Sequence, residues 1–236
     1  INDDAHPHLV TSSTEFIESG PQVEQFLIDK GFTDDLSSSH FGSMPADAFE
    51  QQKNAIRTAM PIPDIALGQV AVTYDVILQP GHYGRTSGAT GTAGRYVSEQ
   101  QIAAYVVRKT AEQLRAKQLN VLVIEADRYL RDNSGTPTYE GLQARVFLAV
   151  HADGSAHPCK TGPSLAYAQK SSTYAMHALG WGLAKALGYN YDDFRHDGFT
   201  ADSAQYYMFT RVRASDLSGL LELAELTCPS SESNLI

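Results

Sequence analysis

Val72-Thr73-Tyr74-Asp75-Val76-Ile77-Leu78-Gln79-Pro80-Gly81-His82 is an apolar run that stops at a breaker and a histidine. A short apolar run bounded by turn residues reads as a strand buried on both faces. Working outward, the same signature recurs. Strands are predicted at Ala71 to Leu78, Asn120 to Glu125, Val146 to His151, Ser164 to Ala168 and Leu220 to Leu226. Helices are predicted between them. Ser98 has the chemistry of an N-cap before Glu99 to Lys117, where Ile102, Tyr105, Val106, Thr110 and Leu114 recur every three or four residues. Tyr174 to Leu187 repeats that spacing and Gly188 supplies a stop. Alternating strands and helices predict a single α/β domain, a mostly parallel twisted sheet flanked by helices on both faces. Ligand sites in such sheets lie beyond the carboxyl ends of the strands, which is where these assignments put His82 and His151.

Residues 1–70 read differently and are expected to form an N-terminal extension, with 71–236 as the main domain. The extension carries helix candidates at Pro21 to Lys30 and Pro45 to Ala59, a turn at Ser37-Ser38-Ser39 and the breaker Pro61-Ile62-Pro63. It has few large apolar residues and is expected to pack on the main domain. The 236 residues are 42% apolar and 19% charged, which is ordinary for a globular chain. A net charge of −9 without any basic stripe excludes nucleic acid as the main partner. No apolar stretch reaches the roughly 20 residues needed to span a bilayer. The first residues, Ile1-Asn2-Asp3-Asp4, lack a signal-peptide pattern, which is compatible with a cytosolic chain or with a signal already removed. Cys159 and Cys228 are compatible with two thiols or with one disulfide.

Four polar residues stand out by placement: His82 after one strand, Glu99 opening a helix, His151 ending another strand, and Glu222 inside Gly219-Leu220-Leu221-Glu222-Leu223-Ala224. Two imidazoles and a carboxylate are a known three-ligand zinc set that leaves a position open. Each also has a plainer reading. A histidine after a strand is commonly a surface or capping residue, and the helix dipole alone favours a carboxylate at Glu99. Glu222 is harder to set aside, because an unpaired carboxylate within a buried strand is costly. The glycine-rich loop Gly81 to Gly91 lacks the spacing of a phosphate loop. His6, His8, His40, His157, His177 and His196 have no partners at ligand spacing, and no GxSxG nucleophile elbow occurs.

Together these motifs resemble the zinc-dependent N-acetylmuramoyl-L-alanine amidases of the type 3 amidase family. The resemblance rests on Gln79-Pro80-Gly81-His82-Tyr83-Gly84, on Gly88 to Gly91 leading to Glu99-Gln100, on Val146 to His151-Ala152-Asp153, and on Leu220-Leu221-Glu222-Leu223-Ala224. It covers residues 72 to about 232 in order. Gln79, Tyr83, Gln100 and Asp153 depart from the family pattern, which has Asp, Gly, Lys and Asn there; none of these departures removes a ligand.

The resemblance implies one zinc ion held by His82, Glu99 and His151, with Glu222 as the catalytic carboxylate. It implies peptidoglycan or a muropeptide as substrate, cleaved at the amide joining N-acetylmuramic acid to L-alanine. Such an enzyme acts in the periplasm or outside the cell, where a Cys159–Cys228 disulfide is favoured if the two thiols are close. The alternatives are a catalytically inactive wall-binding or regulatory protein on the same fold and a zinc peptidase acting on other peptides.

Overall fold

The structure, a computed structural model, describes residues 9–10, 16–17, 44–59, 73–85, 90–124, 141–160, 162–168, 170–187, 199–200 and 206–236. The predicted helix at Pro21 to Lys30, the Ser37–Ser39 turn and the Pro61–Pro63 breaker lie outside these residues. In chain order the described elements are β1 (Leu9–Val10), β2 (Phe16–Ile17), α1 (Ala46–Arg57), β3 (Thr73–Pro80), α2 (Glu99–Ala116), β4 (Val121–Val123) and β5 (Gln143–Asp153). They continue with β6 (Ser164–Tyr167), α3 (Thr173–Leu187), β7 (Phe199–Thr200), α4 (Met208–Arg211), β8 (Arg213–Glu225) and α5 (Pro229–Leu235).

Six strands form one sheet in the order β4-β3-β5-β8-β6-β7, while β1 and β2 pair separately. The pairs β4–β3, β3–β5 and β5–β8 are parallel, and β6 runs antiparallel to β8. The parallel core therefore gathers the carboxyl ends of β3, β5 and β8 at one edge, and the register sets His151 directly beside Glu222. Side chains alternate between the faces of a strand. Val146, Leu148 and Val150 of β5 join Leu221 and Leu223 of β8 in a core that also takes Ile102, Ala104, Val107 and Ala111 of α2 and Met176, Trp181 and Ala184 of α3. Ile77, Phe147, Ala149 and Leu220 face the other way, into a second core closed by Met208 of α4 with Tyr206 and Phe209. His151 and Glu222 share the parity of Phe147, Ala149 and Leu220 and so stand on this second face.

Helix α2 starts where its sequence says it must. The Ser98 hydroxyl accepts from the Gln101 backbone N–H at 3.3 Å, and the Gln101 side chain accepts from the Ser98 N–H at 2.9 Å. This reciprocal cap satisfies two of the free donors at a helix start and fixes Glu99 as the first helical residue.

Cys159 and Cys228 form a disulfide across 69 residues of sequence, with Cα atoms 4.7 Å apart. Closing a loop of that size removes conformational freedom from the unfolded chain, and the corresponding stabilisation is about 4 kcal/mol. Reduction is expected to lower the melting temperature by roughly 10 °C in a chain of this length. A thermal melt with and without reductant checks this; identical midpoints would show that the bridge contributes nothing.

Candidate metal centre

The Gly81-His82 step turns back immediately after β3. His82 has a φ of 52°, in the left-handed region that L-residues avoid, and its imidazole lies edge-on to that of His151 with ring centroids 5.0 Å apart. Glycine is required just before it. A Cβ on Gly81 would lie 2.5 Å from His151 Nδ1, so the His151 ring occupies the space a side chain would need.

Glu99 lies between the two histidines. Its Oε1 is 3.0 Å from His151 Nδ1 and 3.3 Å from His82 Nε2, and it also accepts from the Ala152 N–H at 3.2 Å. Its Oε2 accepts from the Thr92 N–H at 2.8 Å. Burial alone would raise the pKa of this carboxyl, but the hydrogen bonds to His151, His82 and the Thr92 N–H override it and bring it down to about 2. One ligand atom from each of His82, Glu99 and His151 lies within 4.8 Å of the others, so the group is able to hold a metal ion.

Two buried polar atoms in this region have no hydrogen-bond partner among the described residues: His151 Nε2 and Glu222 Oε2. Sealed polar atoms are normally satisfied, and orphans at one place call for an explanation. A cation held by the neighbouring ligands would supply charge to the Glu222 carboxylate, whereas the edge of His151 that faces Glu99 is Nδ1. Glu222 is half-buried as a residue, and its environment raises its pKa to about 8, through desolvation first and then the negative charges of Glu99 and Asp153, with His82 opposing.

The stability of the metal-free protein follows from these directions. Between its ordinary value of 4.5 and about 8, Glu222 keeps its proton in the folded chain and loses it in the unfolded one, so stability falls as pH rises through that window. Glu99 acts oppositely and at lower pH: its contribution is present above 4.5 and lost as pH falls toward about 2. Metal-free protein is therefore expected to melt at a lower temperature at pH 8 than at pH 5, and Glu222→Gln to show a flatter profile. Parallel profiles for the two would assign the pH dependence to other groups.

The four residues that depart from the expected motifs each have a structural place. Gln79 is fully buried; its Oε1 accepts from the Tyr206 hydroxyl at 3.0 Å, and its Nε2 lies 3.4 Å from the Tyr207 hydroxyl. Tyr206 packs edge-on to His151, with centroids 6.1 Å apart, and walls this side of the centre. Tyr83 is buried in the core under α2. The Gln100 side chain donates to the carbonyls of Arg85 and Thr90, both within the glycine-rich loop. Asp153 accepts from the Gly154 N–H. Of the remaining histidines, His177 is buried and His157 is exposed, neither within the metal-ligating group; His6, His8, His40 and His196 lie outside the described residues.

Sequence reasoning missed two further carboxylates. Glu225 is fully buried and accepts from the N–H groups of Cys159 and Lys160, both at 2.8 Å. Glu232 is fully buried on α5. Glu225 ends β8 inside the apolar run 220–226, where a lone charge was the available signal, as it was for Glu222; Glu232 lies in the polar segment Pro229–Leu235, where nothing in the sequence marks it.

An α/β sheet with a His–Glu–His group and an orphaned carboxylate at its carboxyl edge defines a protein with a candidate metal centre. The chain belongs to the Amidase_3 family, described as N-acetylmuramoyl-L-alanine amidase, which matches residues 76–235. Solved structures similar to it include the catalytic domain of the CD27L endolysin targeting Clostridia difficile, at 17% identity and a TM-score of 0.50, covering 68% of this chain and 87% of that one. The N-acetylmuramoyl-L-alanine amidase from Clostridium difficile 630 is 20% identical with a TM-score of 0.48, covering 69% and 86%. The catalytic domain of CwlV, an N-acetylmuramoyl-L-alanine amidase from Bacillus (Paenibacillus) polymyxa var. colistinus, is 20% identical with a TM-score of 0.46, covering 68% and 86%. No curated protein sequence matches the chain.

Proposed function

We propose that this chain is a zinc-dependent amidase that hydrolyses the amide between the lactyl group of N-acetylmuramic acid and L-alanine in peptidoglycan. The observation that carries the reading is the convergence of His82, Glu99 and His151 beside a carboxylate whose Oε2 is sealed and unpartnered. Membership of the amidase family supports the substrate class. Residues 71–236 form the catalytic domain in this reading and 1–70 an N-terminal extension. The protein acts in the periplasm or outside the cell, where its substrate is, and the Cys159–Cys228 disulfide fits an oxidising compartment. No helix among the described residues is long and apolar enough to cross a membrane.

His82, Glu99 and His151 would hold the ion. When bound, zinc supplies a lowered pKa for water and polarises a carbonyl as a Lewis acid. The chain's own contribution is placement and proton handling. The Thr92 N–H holds Glu99 Oε2 and leaves Oε1 toward the imidazoles. Glu222, adjacent to His151 across the β5–β8 ladder, takes the proton of the attacking water and delivers it to the leaving nitrogen of L-alanine. In the metal-free chain Glu222 holds its own proton up to about pH 8; the positive charge of an ion held by the neighbouring ligands would lower that pKa and leave the carboxylate able to accept a proton and pass it on.

Protein stripped by a chelator is expected to release no free alanine amino groups from purified peptidoglycan, and stoichiometric zinc to restore release. Undiminished hydrolysis by the stripped protein would overturn the zinc reading.

A further inference from the structure

We propose that Glu232 is a positioning residue for the metal centre, holding in place the loop that presents Glu99. The proposal rests on the reading of His82, Glu99 and His151 as metal ligands.

Glu232 is completely buried, and three consecutive backbone N–H groups donate to its carboxylate: Arg95 to Oε2 at 2.9 Å, Tyr96 to Oε1 at 2.6 Å and Val97 to Oε1 at 3.0 Å. A buried carboxylate is costly unless its oxygens are satisfied, and successive amides turned toward one point form an anion-binding nest. Here the anion belongs to the same chain, 135 residues away from the nearest of its donors. Gly94 completes the fit, since a Cβ there would run into Glu232 Oε1.

The gripped segment is the tip of a closed loop. The Gly94 N–H donates to the Val97 carbonyl at 2.9 Å, and Ala93 bridges to Ser98. At the base of the loop the Glu99 N–H donates to the Thr92 carbonyl at 2.9 Å, while the Thr92 N–H holds Glu99 Oε2 at 2.8 Å. The residues that fix Glu99, in both main chain and side chain, are therefore the two ends of the loop whose tip Glu232 holds. Arg57 of α1 donates to the Tyr96 carbonyl at 2.8 Å and supports the tip from another side. Helix α5 is itself tethered, because Cys228 at its N-cap is bonded to Cys159 and Ile236 beyond its end is buried in the core. The carboxylate is thus a fixed anchor, and its distance from the ligands along the chain hides its role.

The test compares zinc affinity, by chelator competition, and the visible spectrum of the cobalt-substituted protein in wild type, Glu232→Gln, Glu232→Asp and Gly94→Ala. Glutamine keeps the size of the side chain but turns an amide toward N–H donors. Gly94→Ala attacks the same contact from the loop side. Both are expected to weaken zinc binding by about tenfold or more, the scale seen when a ligand loses its outer support, and to shift the cobalt bands; aspartate restores part of the affinity. Leu142→Ala, a buried deletion before the start of β5 and away from His151, provides a variant of lowered melting temperature that keeps the wild-type affinity and spectrum. In the wild-type chain, zinc loading is expected to slow hydrogen exchange at the 95–97 amides. Wild-type affinity and spectrum in folded Glu232→Gln or Gly94→Ala, or exchange at 95–97 indifferent to zinc, would overturn the proposal while leaving the metal centre intact. A wild-type chain that binds no zinc would overturn the metal centre, and the proposal with it.

Discussion

Glu222→Gln is expected to lower kcat on peptidoglycan by about 10³-fold, within the range ascribed to a positioned acid–base group, while zinc content stays at the wild-type level. Glu222 has no structural bond to lose at Oε2, which is sealed and has no hydrogen-bond partner among the described residues. A glutamine is nearly the same size and cannot carry a proton between water and the leaving nitrogen. In the metal-free state the substitution also removes a carboxyl whose pKa is raised to about 8 by desolvation and by its acidic neighbours, so folding should not suffer. Loss of turnover with retained metal and retained stability is the signature of a proton carrier. A variant with near-normal rates would make Glu222 a bystander.

His151→Ala is expected to abolish both metal uptake and hydrolysis. His151 contributes an Nδ1 contact to Glu99 at 3.0 Å, and its buried Nε2 has no hydrogen-bond partner among the described residues, so its removal deletes a ligating imidazole and frees the Glu99 carboxylate together. The loss of zinc affinity should exceed the roughly 10–100-fold that follows loss of an outer-shell partner. Metal analysis of the purified variant, beside a peptidoglycan assay, checks both halves. Stoichiometric zinc in His151→Ala would remove it from the ligand set.

The way these residues could be found in the sequence follows from their physics. His82 and His151 were visible because apolar runs end on them, and the strands do end near them, at Pro80 and Asp153. Glu99 was placed by the Ser98 cap, a local interaction spanning three residues. Glu222 was visible as a charge in a run of leucines, and the β5–β8 register sets it against His151.

What was hidden depends on long-range pairing. The start of β8, Arg213 to Asp216, is polar and partly exposed and lies outside the apolar run; the ladder with β5 makes it a strand. The antiparallel direction of β6 leaves no trace in its composition. Glu225 and Glu232 bind backbone N–H groups, which every residue type except proline possesses, so no side-chain pattern announces their partners. Gln79 likewise meets Tyr206 and Tyr207 only through the fold. The cysteine pair was undecided in sequence because a separation of 69 residues says nothing of distance in space.

The central claim is the identity of the bond that is cut, and mass spectrometry of the products released from purified peptidoglycan by the zinc-loaded protein tests it most directly. Intact stem peptides bearing a free N-terminal L-alanine are expected, together with glycan strands whose lactyl groups end in free carboxylates. Peptides cut within the stem, with L-alanine still joined to muramic acid, would contradict it.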